Sequence, residues 1–115
     1  MTVKTNPTYN SELYIGSIDE KTKKPFTYDE LVYEISKFQD DSSTLIPLCV
    51  SPVEYISGSQ YREKGWKISA INYPKVGNLN FEIDHFMMSL ADILKFRFSQ
   101  HRVTVVGTTK TSMIV

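Results

Sequence analysis

The fold of this chain is decided by the stretch FTYDEL, residues 26–31, which marks the start of a helix. Thr27 and Glu30 fit a capping box, in which each side chain binds the backbone amide of the other residue. Phe26 before the cap and Leu31 at the fourth helical position form a hydrophobic staple. The apolar positions of the helix keep helical spacing, and they are Leu31, Ile35 and Phe38. We expect this helix to end near residues 40–43.

Strands are predicted on both sides of this helix. Residues 12–18 form a short first strand, and the β-rich stretch 44–57 forms the second. Pro47 and Pro52 interrupt the second strand. Because proline cannot donate to a β-ladder, this strand belongs at a sheet edge or is broken by bulges.

The third strand is predicted over residues 66–73, after a polar loop over 58–65. Side chains of this strand alternate between two faces. One face carries Trp66, Ile68 and Ala70, and the other carries Lys67, Ser69 and Ile71.

A second helix is predicted to begin at Asn80, which serves as its cap. Its apolar residues recur at helical spacing, and they are Ile83, Phe86, Met87, Leu90, Leu94 and Phe98. The last main strand covers residues 102–107, and residues 111–115 can add a short terminal strand.

This element order, βαββαβ, predicts an α+β ferredoxin-like sandwich with two helices on one face of an antiparallel sheet. The chain is interpreted as one domain, 1–115, with a loose N-terminal arm over 1–11. Trp66, Val103 and Val105 should face the helices. Arg102 and Thr104 should then lie on the other, open face with Lys67 and Ser69, and an open face must stay polar, bind a ligand or pack on another copy.

Composition limits the partners and locations that fit this chain. Lys and Arg number 13, as do Asp and Glu, so the net charge is zero and disfavours a nucleic-acid partner. The single cysteine, Cys49, makes no internal disulfide, and no apolar run approaches the roughly 20 residues that span a membrane. We therefore expect a cytoplasmic protein, in a host cell if a phage encodes it.

Catalytic signals are weak in this sequence. His85, His101 and Cys49 lack metal-ligand spacing, and no phosphate loop or dinucleotide fingerprint is present. The sequence therefore predicts no catalytic residue, no metal and no cofactor. These weak signals favour a protein that is not an enzyme.

Two segments carry candidate ligand contacts. Residues 58–65 place Tyr61 beside Arg62, so an aromatic ring can stack on a base while a guanidinium grips a phosphate. Tyr73 and Lys75 run into the start of the second helix, where free amides favour an anion. A nucleotide-like small molecule is the predicted ligand, although ordinary solvated loops explain both segments equally well.

An RNA-recognition motif shares the predicted element order. Residues 13–18 look like the shorter signature stretch of that family, and residues 64–68 resemble the start of the longer one. That family stacks bases on exposed aromatics of the third strand. Exposing Trp66 and Ile68 here would bury Lys67 and Ser69, so the alternation opposes an RNA-binding module.

The chain resembles small phage and mobile-element proteins of the first described family of Thoeris anti-defence proteins. The resemblance rests on length, element order and an Arg-x-Thr in the last strand, Arg102-Val103-Thr104. It implies a non-enzymatic sponge that sequesters a cyclic ADP-ribose isomer or a cyclic oligonucleotide between the protomers of a dimer or hexamer. In that family the Arg-x-Thr pair lies in a pocket built by several protomers.

The first hypothesis is therefore an anti-defence protein that sequesters a nucleotide-derived immune signal. Its predicted ligand contacts are Tyr61, Arg62, Tyr73, Lys75, Arg102 and Thr104. The second hypothesis is a protein-binding inhibitor or adaptor, such as an anti-CRISPR protein, that uses the open face or an edge strand. An enzyme with a composite site between subunits ranks third.

Overall fold

The structure is a computed structural model that describes residues 1–5, 9–72, 80–108 and 110–115. Its elements in chain order are β1 (Ser11–Gly16), β2 (Ile18–Asp19), β3 (Lys24–Pro25), α1 (Tyr28–Asp41), β4 (Leu48–Ser57), β5 (Tyr61–Ala70), α2 (Asn80–Arg97), β6 (Val103–Val106) and β7 (Thr111–Ile114). One antiparallel sheet has the order β4-β5-β1-β6-β7, and β2 pairs with β3 separately. Both helices pack on one face of the large sheet, which confirms the predicted ferredoxin-like α+β fold with an added C-terminal strand.

The start of α1 confirms the capping box. The Glu30 amide donates to the Thr27 hydroxyl, and the Thr27 amide donates to the Glu30 carboxylate, both at 3.1 Å. Phe26 and Leu31 are both buried in the core. Two free amides are thus satisfied at the helix start while the adjoining apolar side chains fix the direction of the entering chain.

The second helix contributes more buried residues to the described core than any other element. Its buried residues are Ile83, Phe86, Met87, Leu90, Ala91 and Leu94. The ring of Phe86 meets Phe38 of α1 edge-on, with 5.0 Å between centroids, and so joins the two helices. Asn80, predicted as the cap, is the first helical residue.

Strand register sets which side chains face the helices. Leu13 of β1 lies opposite Ile68 of β5 and Val105 of β6, and all three are buried. Trp66 packs against the same core, as predicted, with its ring 5.7 Å from that of Tyr28. Val103 is also buried beneath the helices.

The prediction of a loop over residues 58–65 is wrong for residues 61–65, which belong to a strand. β5 begins at Tyr61, and only residues 58–60 form the turn, where Gly58 adopts a φ of 69°. The alternation signal is missing here because this end of the β4–β5 hairpin leaves side chains of both faces exposed, Tyr61 and Arg62 among them. The edge position predicted for the proline-containing strand is confirmed, since β4 ends the sheet.

The arm predicted as loose over 1–11 is anchored at its far end. Tyr9 is buried and donates a hydrogen bond to Asp84 of α2, and Ser11 is the first residue of β1. Burial, followed by the Asp84 carboxylate, raises the pKa of Tyr9 to about 12. The Asn10 amide donates to the Thr108 hydroxyl at 3.2 Å, which ties this segment to the chain beyond β6.

Candidate ligand-binding site on the open face of the sheet

The face of the sheet turned away from the helices is called the open face below. Cross-strand pairs share a face, so the register assigns its side chains. Tyr14 of β1 lies opposite Thr104 of β6, and Tyr55 of β4 lies opposite Glu63 of β5. Between these pairs Gly16 lies opposite Gly65. Two neighbouring positions at the middle of this face therefore carry no side chain.

A pocket of about 470 Å³ lies on this part of the open face. Its lining comes from four strands and from the segments that follow β2 and α2. The lining residues are Tyr14, Ile15, Gly16, Glu20, Tyr55, Tyr61, Glu63, Gln100, His101, Arg102 and Thr104. We call it the open-face pocket.

Tyr55 forms one wall of the pocket by lying across Gly65. A Cβ at Gly65 would come within 2.5 Å of the Tyr55 ring and 2.4 Å of the Ile15 carbonyl oxygen, so only glycine fits here. The Tyr55 hydroxyl donates to that carbonyl at 3.1 Å, and its ring meets Tyr14 edge-on at 6.3 Å. Burial raises the pKa of Tyr55 to about 12, and the Glu63 charge adds to the effect. The two rings form an aromatic wall that suits a flat base or a soft cation.

A carboxylate faces this wall. The Tyr61 hydroxyl donates to Glu63, and this bond, followed by a smaller effect of burial, raises the pKa of Tyr61. Tyr14 similarly donates to Glu12 at 2.5 Å, which is the main cause of the raised pKa of Tyr14. The tyrosines are therefore neutral hydrogen-bond donors that hold carboxylates in place.

Gln100 closes the pocket on the side of α2. It is buried, and its amide nitrogen donates to the carbonyl oxygens of Ile18 at 2.7 Å and Phe98 at 2.9 Å. Gln100 follows the turn at Ser99, which has a positive φ of 51°. The end of α2 thus sets the position of this side chain.

Arg102, which immediately precedes β6, contributes a positive charge to the lining of the pocket. His101 points toward Glu20, with 3.6 Å between its Nε2 and the carboxylate, and Lys23 binds the same carboxylate at 2.8 Å. The hydrogen bond from Lys23 lowers the pKa of Glu20, and the His101 charge contributes less. The pocket therefore combines acidic, basic and aromatic groups, as a ligand with both charges requires.

The predicted contacts separate into three groups. Tyr61, Arg102 and Thr104 line the open-face pocket together. Arg62 lies on the opposite face of β5, where it forms an ion pair with Glu54 at 2.8 Å. Tyr73 and Lys75 lie outside the described residues. The structure thus does not bring Arg62 to Tyr61, because adjacent strand residues point to opposite faces.

Sequence reasoning missed Tyr14, Tyr55, Glu63 and Gln100 as pocket residues. The alternation of residues 12–18 carries a signal for Tyr14, because Leu13 and Ile15 bracket it. Glu63 was hidden by the interpretation of residues 61–65 as a loop. Gln100 has no sequence signal, because its position depends on how α2 ends.

The strand register also argues against an RNA-recognition motif. Trp66 and Ile68 turn toward the helices, so Gly65 and Lys67 occupy the open face of β5. The two positions that match the motif's third-strand aromatics therefore face the helices and cannot stack bases on the open face. Among the described residues, no cluster of three potential metal ligands occurs, and neither helix combines the length and apolarity needed to cross a bilayer.

Comparison with known proteins gives a structural match. No protein-family model and no curated protein matches the sequence. Among solved structures, the fold is shared with a phage SAM lyase in complex with S-methyl-5'-thioadenosine, at a TM-score of 0.75 and 15% identity, over 100% of this chain and 95% of the other. A phage SAM lyase in the apo state matches with a TM-score of 0.73 and 14% identity, over 99% and 96% of the two chains.

These neighbours correct the expectation that the chain is not an enzyme. They are structures of an enzyme, and they share the fold over nearly the full length of both chains. The expectation came from the lack of a recognisable acid, base or nucleophile pattern in the sequence. That lack does not exclude catalysis on this fold, so the non-enzymatic interpretation is withdrawn.

Proposed function

We propose that this protein is a phage anti-defence enzyme that cleaves S-adenosylmethionine (SAM), and that the open-face pocket is its substrate site. The observation that carries the proposal is the full-length structural match to a phage SAM lyase bound to S-methyl-5'-thioadenosine. The mixture of aromatic, acidic and basic groups in the pocket supports it. SAM presents an adenine ring, a sulfonium cation and an amino-acid zwitterion, and each finds a complementary group there.

The cleavage of SAM requires no reacting group from the protein. S-methyl-5'-thioadenosine forms from SAM when the bond between the sulfonium sulfur and the γ-carbon of the methionine part breaks. The sulfur keeps the electron pair and loses its positive charge. The substrate's own carboxylate oxygen can supply the new bond to the γ-carbon and close a five-membered lactone. No proton moves and no water enters, so no base or nucleophile from the chain is needed.

Catalysis of this step amounts to holding the substrate in a reactive shape. An intramolecular reaction gains mainly when the reacting atoms are kept in line and close together. Arg102 is placed to hold the carboxylate end of the substrate by a charge-assisted bond. The rings of Tyr14 and Tyr55 offer faces to adenine or to the sulfonium. The reaction cancels two opposite charges, so a partly dry, aromatic wall favours its transition state.

The test is direct. Purified protein is incubated with SAM, and S-methyl-5'-thioadenosine and homoserine lactone are followed by liquid chromatography and mass spectrometry. We expect both products in equal amounts at a rate far above that of SAM alone. A phage SAM lyase is the positive control. If that control works and this chain yields no S-methyl-5'-thioadenosine, the proposal is wrong.

Two arginines provide a matched pair of variants. Arg102→Ala removes a pocket cation, whereas Arg62→Ala removes one on the opposite face. A charged hydrogen bond contributes about 1.5–3 kcal/mol. We therefore expect Arg102→Ala to lower kcat/KM by roughly 10- to 150-fold and Arg62→Ala to leave it unchanged. Equal losses in both variants would contradict the placement of the site.

The anti-defence role has a cellular readout. Expression of the protein in a bacterial host should reduce the SAM pool and weaken defences that consume SAM, and the Arg102→Ala variant should do neither. The same purified protein is also incubated with cyclic ADP-ribose isomers. Capture of such a compound unaltered, without any cleavage of SAM, would replace the present proposal by the Thoeris type of ligand binding.

A further inference from the structure

Two side-chain oxygens of the open-face pocket converge over Gly16. A Cβ built on Gly16 would lie 3.0 Å from Gln100 Oε1 and 3.0 Å from Glu63 Oε1. That point is bonded to the Gly16 Cα, so no ligand atom can occupy it, but it shows that the two acceptors lie close together over a residue without a side chain. A single nitrogen donor on the pocket side of Gly16 is therefore placed to reach both oxygens at hydrogen-bond distance.

The Gln100 oxygen is held in place by the rest of its amide group. Both acceptors of the amide nitrogen, Ile18 and Phe98, are backbone carbonyls, which cannot donate. This identifies the bonded atom as nitrogen and leaves Oε1 directed at Gly16. Since Gln100 is only 8% exposed, its acceptor is already oriented toward Gly16 before any ligand arrives.

The Glu63 carboxylate is held in a similar way. Tyr61 donates to its Oε2, so Oε1 is the atom directed at Gly16. The two side chains over Gly16, a carboxylate and a neutral amide, together carry one negative charge. A group that satisfies both must donate at least two hydrogen bonds and carry a compensating positive charge. A protonated primary amine meets both conditions, whereas a sulfonium donates no N–H bond.

We propose that the part of the open-face pocket in front of Gly16 is a subsite for a protonated primary amine, with Glu63 and Gln100 as its acceptors. The inference rests on the proposed function, in which the amine is the α-ammonium group of SAM. Arg102 lines the same pocket and takes the neighbouring carboxylate. Glu63 and Gln100 act as positioning residues, because fixing both ends of the amino-acid part directs the carboxylate toward the γ-carbon.

A methyl group at Gly16 should project between the two oxygens and push them apart at little cost in folding. Both atoms that it would meet are ends of side chains, and Gly16 has no positive φ. Gly107→Ala is the matched control, since its Cβ would meet the Lys110 carbonyl oxygen at an ordinary 3.4 Å, outside the open-face pocket. Thermal unfolding of both variants checks that each is folded before binding is measured.

The ligands are two uncleaved compounds that differ only in the amine. S-adenosylhomocysteine carries it, and its deamino analogue 5'-S-(3-carboxypropyl)-5'-thioadenosine does not. By titration calorimetry we expect the wild type and Gly107→Ala to bind the amine compound at least about 10-fold more tightly, as loss of a charged hydrogen bond implies. Gly16→Ala should bind the two equally, with unchanged affinity for the deamino compound.

The outcomes separate this inference from the proposed function. A wild type that cleaves SAM but binds both compounds equally overturns the amine subsite alone. A Gly16→Ala variant that keeps the preference also overturns it. A wild type that neither cleaves SAM nor binds either compound overturns both proposals. Glu63→Gln gives a second measurement, because it keeps an acceptor for Tyr61 but removes the charge, and it should reduce the preference as well.

Discussion

Gly16 of β1 and Gly65 of β5 face each other, but replacement by alanine is expected to affect stability differently at the two positions. In Gly65→Ala the new methyl group would lie 2.4 Å from the Ile15 carbonyl oxygen and 2.5 Å from the Tyr55 ring. The carbonyl belongs to a paired strand and cannot move away without breaking the ladder. In Gly16→Ala the methyl group meets only side-chain ends at 3.0 Å, which can shift by a few tenths of an ångström.

The expected change in the free energy of unfolding of Gly65→Ala is the sum of three contributions. Overpacking costs about 1–3 kcal/mol, and displacement of Tyr55 from the Ile15 carbonyl costs about 1 kcal/mol more. Replacing glycine by alanine in a strand returns about 0.5–1 kcal/mol through a less flexible unfolded chain. Gly65→Ala should therefore lower the free energy of unfolding by about 2 kcal/mol net, and the melting temperature by roughly 5–10 °C.

Urea and thermal unfolding followed by circular dichroism measure this difference. We expect Gly16→Ala to remain within about 1 kcal/mol of the wild type under the same conditions. Gly65→Ala with wild-type stability would refute the close approach of Tyr55 and Ile15 to Gly65. Equal destabilisation of both variants would refute the distinction between a backbone obstacle and a flexible one.

Three further predictions concern the helix cap, the titration of two tyrosines and the anchoring of the N-terminal arm. Thr27→Ala removes the capping-box acceptor and should lower the free energy of unfolding by about 1 kcal/mol, measured by urea unfolding with the exposed Thr2→Ala as control; an unchanged midpoint would contradict the cap. The folded pKa values of Tyr9 and Tyr55 are raised to about 12 from the ordinary 10, so their contribution to stability is complete below pH 10 and is lost as the pH rises toward 12. Stability measured from pH 9 to 12 should therefore fall, and it should fall less in the double variant Tyr9→Phe, Tyr55→Phe; an identical pH profile would argue against the burial that raises the pKa of both hydroxyls. Tyr9→Phe alone should lower stability by about 1.5–3 kcal/mol, as expected for a bond to a carboxylate, and wild-type stability would mean that the arm is not anchored at Asp84.

The sequence contained enough information for the fold because the deciding signals are local. The capping box at Thr27, the helical period of residues 80–98 and the alternation around Ile68 each depend on neighbours in the chain. These signals predicted both helices, the helix-facing side of the sheet and the position of Arg102 and Thr104 on the open face. They failed over residues 61–65, where the hairpin leaves both of its faces exposed to solvent.

The candidate site required the tertiary structure. Glu63, Gln100 and Gly16 lie far apart in the chain, and their convergence depends on strand register and on the way α2 ends. The Gly16–Gly65 pairing likewise joins residues 49 positions apart, so no local pattern could show that Tyr55 covers this part of the sheet. Periodicity and capping determine which face of an element is buried, and the sequence alone determined this much for the chain. Only the packed structure decided which side chains of the open face share one pocket, because that depends on contacts between distant segments.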